Sequence, residues 1–232
     1  MINPIQSKLT QLPPPWISRI VSQGGQLGQS NEIRKVLGEP IPQPAALNTL
    51  RPEVAAMFAA DGVLERIRKK LSKLTKKKGN KIIPAHNTVA CVDEENNVYV
   101  GVEFLERFGD DENLLAGILA HEWGHMMSDL PRDGDFSHLT WDQLFELRRD
   151  EEAYADGFAG RAIFCMGYQA DPMIDFLKKT QKKKDKKIPT LKYHNVATRT
   201  AILRESYALC ERVSQTAQKG FPFKRGRWLA DV

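Results

Sequence analysis

The chain has 232 residues, 41% hydrophobic and 27% charged, enough for one domain with a buried core and an added arm; its longest apolar runs, such as residues 114–120, fall far short of the ~20 residues of a bilayer crossing. The opening MINPIQSKLTQLPPPW lacks the basic-then-apolar order of a secretory signal, and three scattered cysteines (Cys91, Cys165, Cys210) without ligand spacing argue against a disulfide framework, so a soluble cytoplasmic protein is expected. The net charge of +5 is uneven: residues 69–81 hold seven lysines and no acid, residues 178–192 hold eight lysines and one acid, and outside them 19 of the 34 basic residues face 28 of the 29 acidic ones.

Residues 1–50 are rich in Pro, Gln and Gly (Pro13-Pro14-Pro15, Gly24-Gly25, Pro40, Pro42, Pro44) and read as an arm, with a short helix near residues 17–21, laid on a single domain over residues 51–232. Apolar residues Val54, Met57, Phe58, Val63, Leu64, Ile67, Leu71 and Leu74 recur at helical spacing and predict one helix over residues 52–74, broken at Gly79-Asn80. Strands are expected at residues 81–83 and 88–92, either side of Pro84, and at residues 97–102, where β-branched and aromatic residues concentrate. The acidic and Asn-rich residues 93–97 between them are turn chemistry.

A helix capped by Asp110 or Asp111 is expected to run to Met127 and to end before Pro131. A second long helix follows over residues 141–166, then a loop at residues 167–171, a short helix and the second lysine run. The last helix spans residues 196–218, with Ile202, Leu203, Leu209 and Val213 as its apolar side, before an aromatic and basic tail.

The chemistry concentrates in His121-Glu122-Trp123-Gly124-His125. Histidines four apart stand on one helical face, so both imidazoles can reach one ion, and Glu122, rotated ~100° from His121, can hold and deprotonate a water beside it. A catalytic zinc site needs a third protein ligand. The metzincin spacing is excluded, because Ser128 and Pro131 stand where it needs glycine and histidine. Glu152 and Asp156, also four apart on a helix, offer one carboxylate for the metal and another to accept a hydrogen bond from a ligand histidine. Small residues Ala153, Ala155, Gly157 and Ala159 would let that helix press on the histidine helix. His86 and His138 read as structural, and Cys91 as an ordinary buried thiol rather than a cap on zinc.

Three blocks, Asn97-Val98-Tyr99-Val100, the helix from Asn113 through Leu114-Leu115-Ala116-Gly117-Ile118-Leu119-Ala120 to His125, and Glu152-Ala153-Tyr154-Ala155-Asp156, resemble the HtpX and CAAX-protease zinc metallopeptidases over residues 85–205. The resemblance implies an α+β, mostly helical gluzincin core with a small sheet beside the active-site helix. It implies His121, His125 and Glu152 as zinc ligands, Glu122 as general base and Asp156 behind the ligands. Where that family carries a His-Pro pair and then an arginine, this chain has His194-Asn195 and Arg199. His194 is therefore the candidate for steadying the transition-state oxyanion or the site's acids, followed by Tyr193, Tyr154 and Arg199.

The expected function is a zinc-dependent endopeptidase whose protein substrate adds as an extended strand to residues 97–102. Within this class an ImmA-like regulatory protease, with its H-E-x-x-H and E-x-x-A-N/D helices, is the alternative. A non-catalytic module gripping nucleic acid or an acidic partner through the lysine runs is the reading from a different class.

Overall fold

The structure, a computed structural model, describes residues 41–77, 81–93, 95–128, 139–184 and 193–218. Residues 1–40 of the expected arm over residues 1–50, most of the second lysine run, His138 and the tail lie outside the described residues. The fold is α+β and mostly helical. Its strands are β1 (Gln43–Pro44), β2 (Ile82–His86), β3 (Ala90–Val92) and β4 (Val98–Gly101). Its helices are α1 (Pro52–Met57), α2 (Val63–Thr75), α3 (Val102–Phe108), α4 (Glu112–Met127), α5 (Trp141–Met166), α6 (Asp171–Lys184) and α7 (Val196–Gln218).

The sheet has the order β1-β2-β4-β3, with β2 and β4 parallel and the outer pairs antiparallel. Contrary to the expected break, β2 runs straight through Pro84. Lys81 O accepts from Val98 N, so odd-numbered residues of this strand face β4 and Pro84 faces β1, where its carbonyl accepts from Ala45 N at 2.8 Å. The missing N–H therefore costs one bond, against a two-residue strand, and not a rung of the central ladder. Strand β4 stops at Gly101 and α3 begins at once with Val102, a helix that the sequence pattern had merged into the strand. Because β4 is paired on both sides, it offers no edge to an incoming peptide, so the expected docking of substrate on residues 97–102 is corrected.

The single helix expected over residues 52–74 is two. Phe58–Gly62 forms a turn in which Gly62 N donates to Ala59 O at 2.8 Å, and the apolar period resumes beyond it because α1 and α2 bury Val54, Leu64, Ile67 and Leu71 in one core. On α7 Leu203 of the expected apolar side is buried, with Thr200 and Cys210, and Ile202 is half-buried facing Gly157, whereas Leu209 is 36% exposed. Cys91 is half-buried, Cys165 exposed and Cys210 buried, all free thiols. Among the described residues no helix is long and apolar enough to cross a membrane.

The lysine runs are not simply loops. Both begin inside helices, at the end of α2 and along α6. Lys69 Nζ donates to Ala60 O at 2.9 Å, Lys77 Nζ to Met126 O at the end of α4, and Lys70 Nζ sits 4.0 Å over the Tyr168 ring.

Helix α4 is the axis of the molecule. It is apolar all round, which suits a helix covered on every side, and it packs against α2, α5, α6 and β3. Asp111 caps it, accepting from Leu114 N at 3.0 Å, and Trp123, 1% exposed, satisfies its Nε1–H on Thr75 Oγ1 at 3.1 Å.

Candidate metal centre

Two helices meet closely enough to merge their polar side chains. A Cβ on Gly124 would stand 2.7 Å from Ala155 Cα, so α4 and α5 touch backbone to backbone at that level. Helix α5 starts with a capping box, Thr140 Oγ1 accepting from Gln143 N and Gln143 Oε1 accepting from Thr140 N, and runs antiparallel to α4. Of the small residues expected on this contact, Ala155 makes it. Gly157 instead faces α7, as does Gly160, where a Cβ would come within 2.3 Å of Leu203 O.

At that crossing His121, His125 and Glu152 turn toward one another. His121 Nε2 is 3.3 Å from His125 Nε2 and 3.3 Å from Glu152 Oε2, and His125 Nε2 is 3.8 Å from Glu152 Oε1. The ring planes stand at 89°. His121 and Glu152 are each 8% exposed, and the His125 side chain is 11% exposed. This buried group can hold a metal ion. Donors around a tetrahedral ion at about 2.0–2.1 Å stand about 3.3–3.4 Å apart, which two of these three separations meet. Glu152 Oε2 is buried without a hydrogen bond, an atom that a cation would satisfy.

Charged groups surround the three donors. Asp156 Oδ1 lies 3.0 Å from His121 Nδ1, within ion-pair reach but poorly aligned as a hydrogen bond. Arg199, from α7, grips Asp156 with Nε at 2.7 Å and Nη2 at 2.8 Å, and its Nη2 stands 3.8 Å from Glu152 Oε2. The buried acids Glu122, Glu151, Glu152 and Asp156 share this interior with the buried arginines Arg148 and Arg161 and with Arg199.

Without such an ion, protons take its place. Burial opposes a charge on His121, but Asp156 and Glu152 outweigh it and raise the imidazole from 6.5 to about 10. His125 moves the same way, burial opposing and Glu151 and Glu152 prevailing. Burial would push Glu152 up, yet His121, His125 and Arg199 hold it far below the carboxylate range.

The other expected residues are placed as follows. Glu122 is 8% exposed on α4, and its charge is felt at His125. Tyr154 donates to Met127 O at 3.4 Å, closing the end of α4, and Tyr193 lies under Arg199, ring centroid to Cζ 4.8 Å. Arg199 is thus committed to two acids of the cluster. His194 is half-buried just ahead of α7 and makes no hydrogen bond or ion pair among the described residues. His86 pairs with Glu103 at 2.6 Å, outside the cluster. Cys91 is paired across β3–β4 with Tyr99, on the sheet face opposite Val92 and Val98, and does not join the donors.

Two members were missed from sequence. Glu151 Oε1 is 3.2 Å from His125 Nδ1, and Arg148 Nη1 donates to Glu151 Oε2 at 2.6 Å. The available signal was the arginine three residues ahead of an acid on a helix that also carries a ligand. The chain matches no protein-family model and no curated protein.

Proposed function

We propose that this protein is a zinc-dependent endopeptidase of the gluzincin type, akin to the HtpX and CAAX-protease peptidases. One observation carries the reading: two imidazole nitrogens and a carboxylate, 3.3–3.8 Å apart and buried, converge beside a glutamate on the same helix turn as the first histidine. Two nitrogens with one carboxylate suit zinc among the common divalent ions. When bound, zinc would supply Lewis acidity to a scissile carbonyl and make water acidic enough to attack near neutral pH.

The chain's own residues would do the rest. Glu122 would take the proton of the attacking water and deliver it to the leaving amine, the exchange a buried carboxylate beside a cation performs near neutral pH. His121 and His125 would hold the ion through Nε2, leaving Nδ1 to the carboxylates behind them. His194 would donate to the oxyanion that forms as the carbonyl becomes tetrahedral. A protein substrate held as an extended strand would need an edge of the sheet, and β4 is not one. The lysine runs would serve recruitment of acidic segments, although Lys69, Lys70 and Lys77 are already engaged within the fold.

The test is metal content and peptide hydrolysis of the purified full chain beside Glu122→Gln and Glu152→Gln. One zinc per chain is expected in the wild type and in Glu122→Gln, with hydrolysis lost about 10²–10⁴-fold in the latter. Zinc should be weakened or lost in Glu152→Gln. An active Glu122→Gln protein, or a wild type that takes up no zinc, defeats the proposal.

A further inference from the structure

His125 is approached on both ring nitrogens by consecutive glutamates of α5. Glu152 Oε1 stands 3.8 Å from Nε2, on the side where the three donors converge, and Glu151 Oε1 stands 3.2 Å from Nδ1. Neighbouring residues on a helix project ~100° apart, so two successive carboxylates can straddle one imidazole that leans against the helix. Glu151 is itself held: Arg148, one turn earlier, donates through Nη1 to its second oxygen at 2.6 Å. Both are interior, Arg148 5% and Glu151 4% exposed, and the turn that bears them is rooted by buried Leu144 and Phe145.

Burying an acid and a guanidinium carries a desolvation penalty for each, and an apolar pair of similar size commonly serves stability as well or better. Charge retained at such a position calls for a use, and a ring nitrogen of a histidine in the donor cluster lies 3.2 Å from Glu151 Oε1. We propose that Glu151, steered by Arg148, is a positioning residue of the metal centre that accepts His125 Nδ1–H and so keeps the Nε2 lone pair turned to the ion. This rests on the reading of His125 as a metal ligand. It makes the centre two-armed: Asp156 with Arg199 stands behind His121, and Glu151 with Arg148 stands behind His125. Both acids come from α5, but one arginine is local and the other arrives on α7.

The experiment compares the full chain with Glu151→Leu, Glu151→Gln and, as control, the exposed Glu146→Gln on the same helix. Zinc affinity is measured by competition with a chromophoric chelator. The visible spectrum of each cobalt(II)-loaded protein reports the ligand field, and unfolding of the metal-free form reports the fold. Glu151→Leu is expected to bind zinc about 10–100-fold more weakly and to shift the cobalt bands. Glu151→Gln, which keeps an acceptor oxygen but no charge, should lose less, and Glu146→Gln should match the wild type. If Glu151→Leu does not fold, the near-isosteric Glu151→Gln carries the test alone, with weakened zinc expected. Wild-type zinc affinity and cobalt spectrum in the folded Glu151 variants would overturn the inference, leaving an ordinary ion pair along the helix. A wild type that binds neither zinc nor cobalt would instead overturn the metal-centre reading beneath it.

Discussion

Arg199 reaches Asp156 across 43 positions of sequence and bonds both of its oxygens, at 2.7 and 2.8 Å, with Asp156 fully buried beneath it. The pair joins two helices that run parallel, since Asp156 meets Arg199, Gly160 meets Leu203 and Phe164 meets Tyr207 in the same order along both. Helix α7 thereby delivers a guanidinium to the candidate metal centre while contributing, among the described residues, no donor to it.

Removing that guanidinium leaves Asp156 as a buried charge facing only His121. Arg199→Ala should lower the unfolding free energy by about 3–5 kcal/mol, measured by urea denaturation at pH 7. Arg199→Lys, which cannot make both bonds, should recover only part of it. A wild-type midpoint in Arg199→Ala would mean that the clamp contributes nothing.

The metal-free protein should lose stability as the pH is raised. The folded pKa of His121 lies at about 10, above its ordinary 6.5, so its contribution is fully present below 6.5 and disappears as the pH climbs through 10. Denaturation with a chelator present, at pH 6.5, 8 and 10, should show the fall. Zinc should abolish it, because the ion replaces the protons. By the same linkage, zinc uptake at pH 7 should release protons, visible as a buffer-dependent binding enthalpy. Uptake without proton release would show the imidazoles already neutral.

Gly124 has no room for a side chain. Gly124→Ala would set a methyl group 2.7 Å from the Ala155 backbone, which cannot yield as a flexible side chain could. The helices should part, costing about 1–3 kcal/mol and weakening zinc, since the ligands sit on both sides of that contact. Thermal unfolding and chelator competition measure the two effects; an unchanged zinc affinity would show the site tolerant of the spacing.

His194 tests the oxyanion role. It is half-buried and unbonded among the described residues, so His194→Ala should shift stability by no more than about 0.5 kcal/mol. Zinc content should be kept and kcat should drop about 10²–10³-fold. Undiminished hydrolysis would remove His194 from the mechanism.

Much of this architecture was legible because it is written in local rules. The i, i+4 spacing of His121 and His125 and of Glu152 and Asp156, the Asp111 cap, and the extents of α4, α5 and α7 follow from helical geometry and capping chemistry alone. The errors arose where a distant partner decides. Pro84 reads as a break until β1 is known to be the side it faces, and residues 97–102 read as an available edge until β2 and β3 are seen on either side. Arg199 ranks below His194 as a candidate for the oxyanion or the site's acids because nothing near it in sequence names Asp156 as its partner; the structure sets it on the acids. Nothing near Glu151 in sequence names His125 as its partner either.

What the sequence determined by itself is the set of candidate donors and their face: once these residues are helical, a period of 3.6 puts His121 with His125, and Glu152 with Asp156, on one side of each helix. What only the tertiary structure decided is which charges surround that set. The crossing of α4 on α5 at Gly124 and Ala155, and the arrival of α7, bring acids and arginines together whose separation along the chain carries no local signal. Their pairing is enforced by the cost of leaving any one of them buried alone.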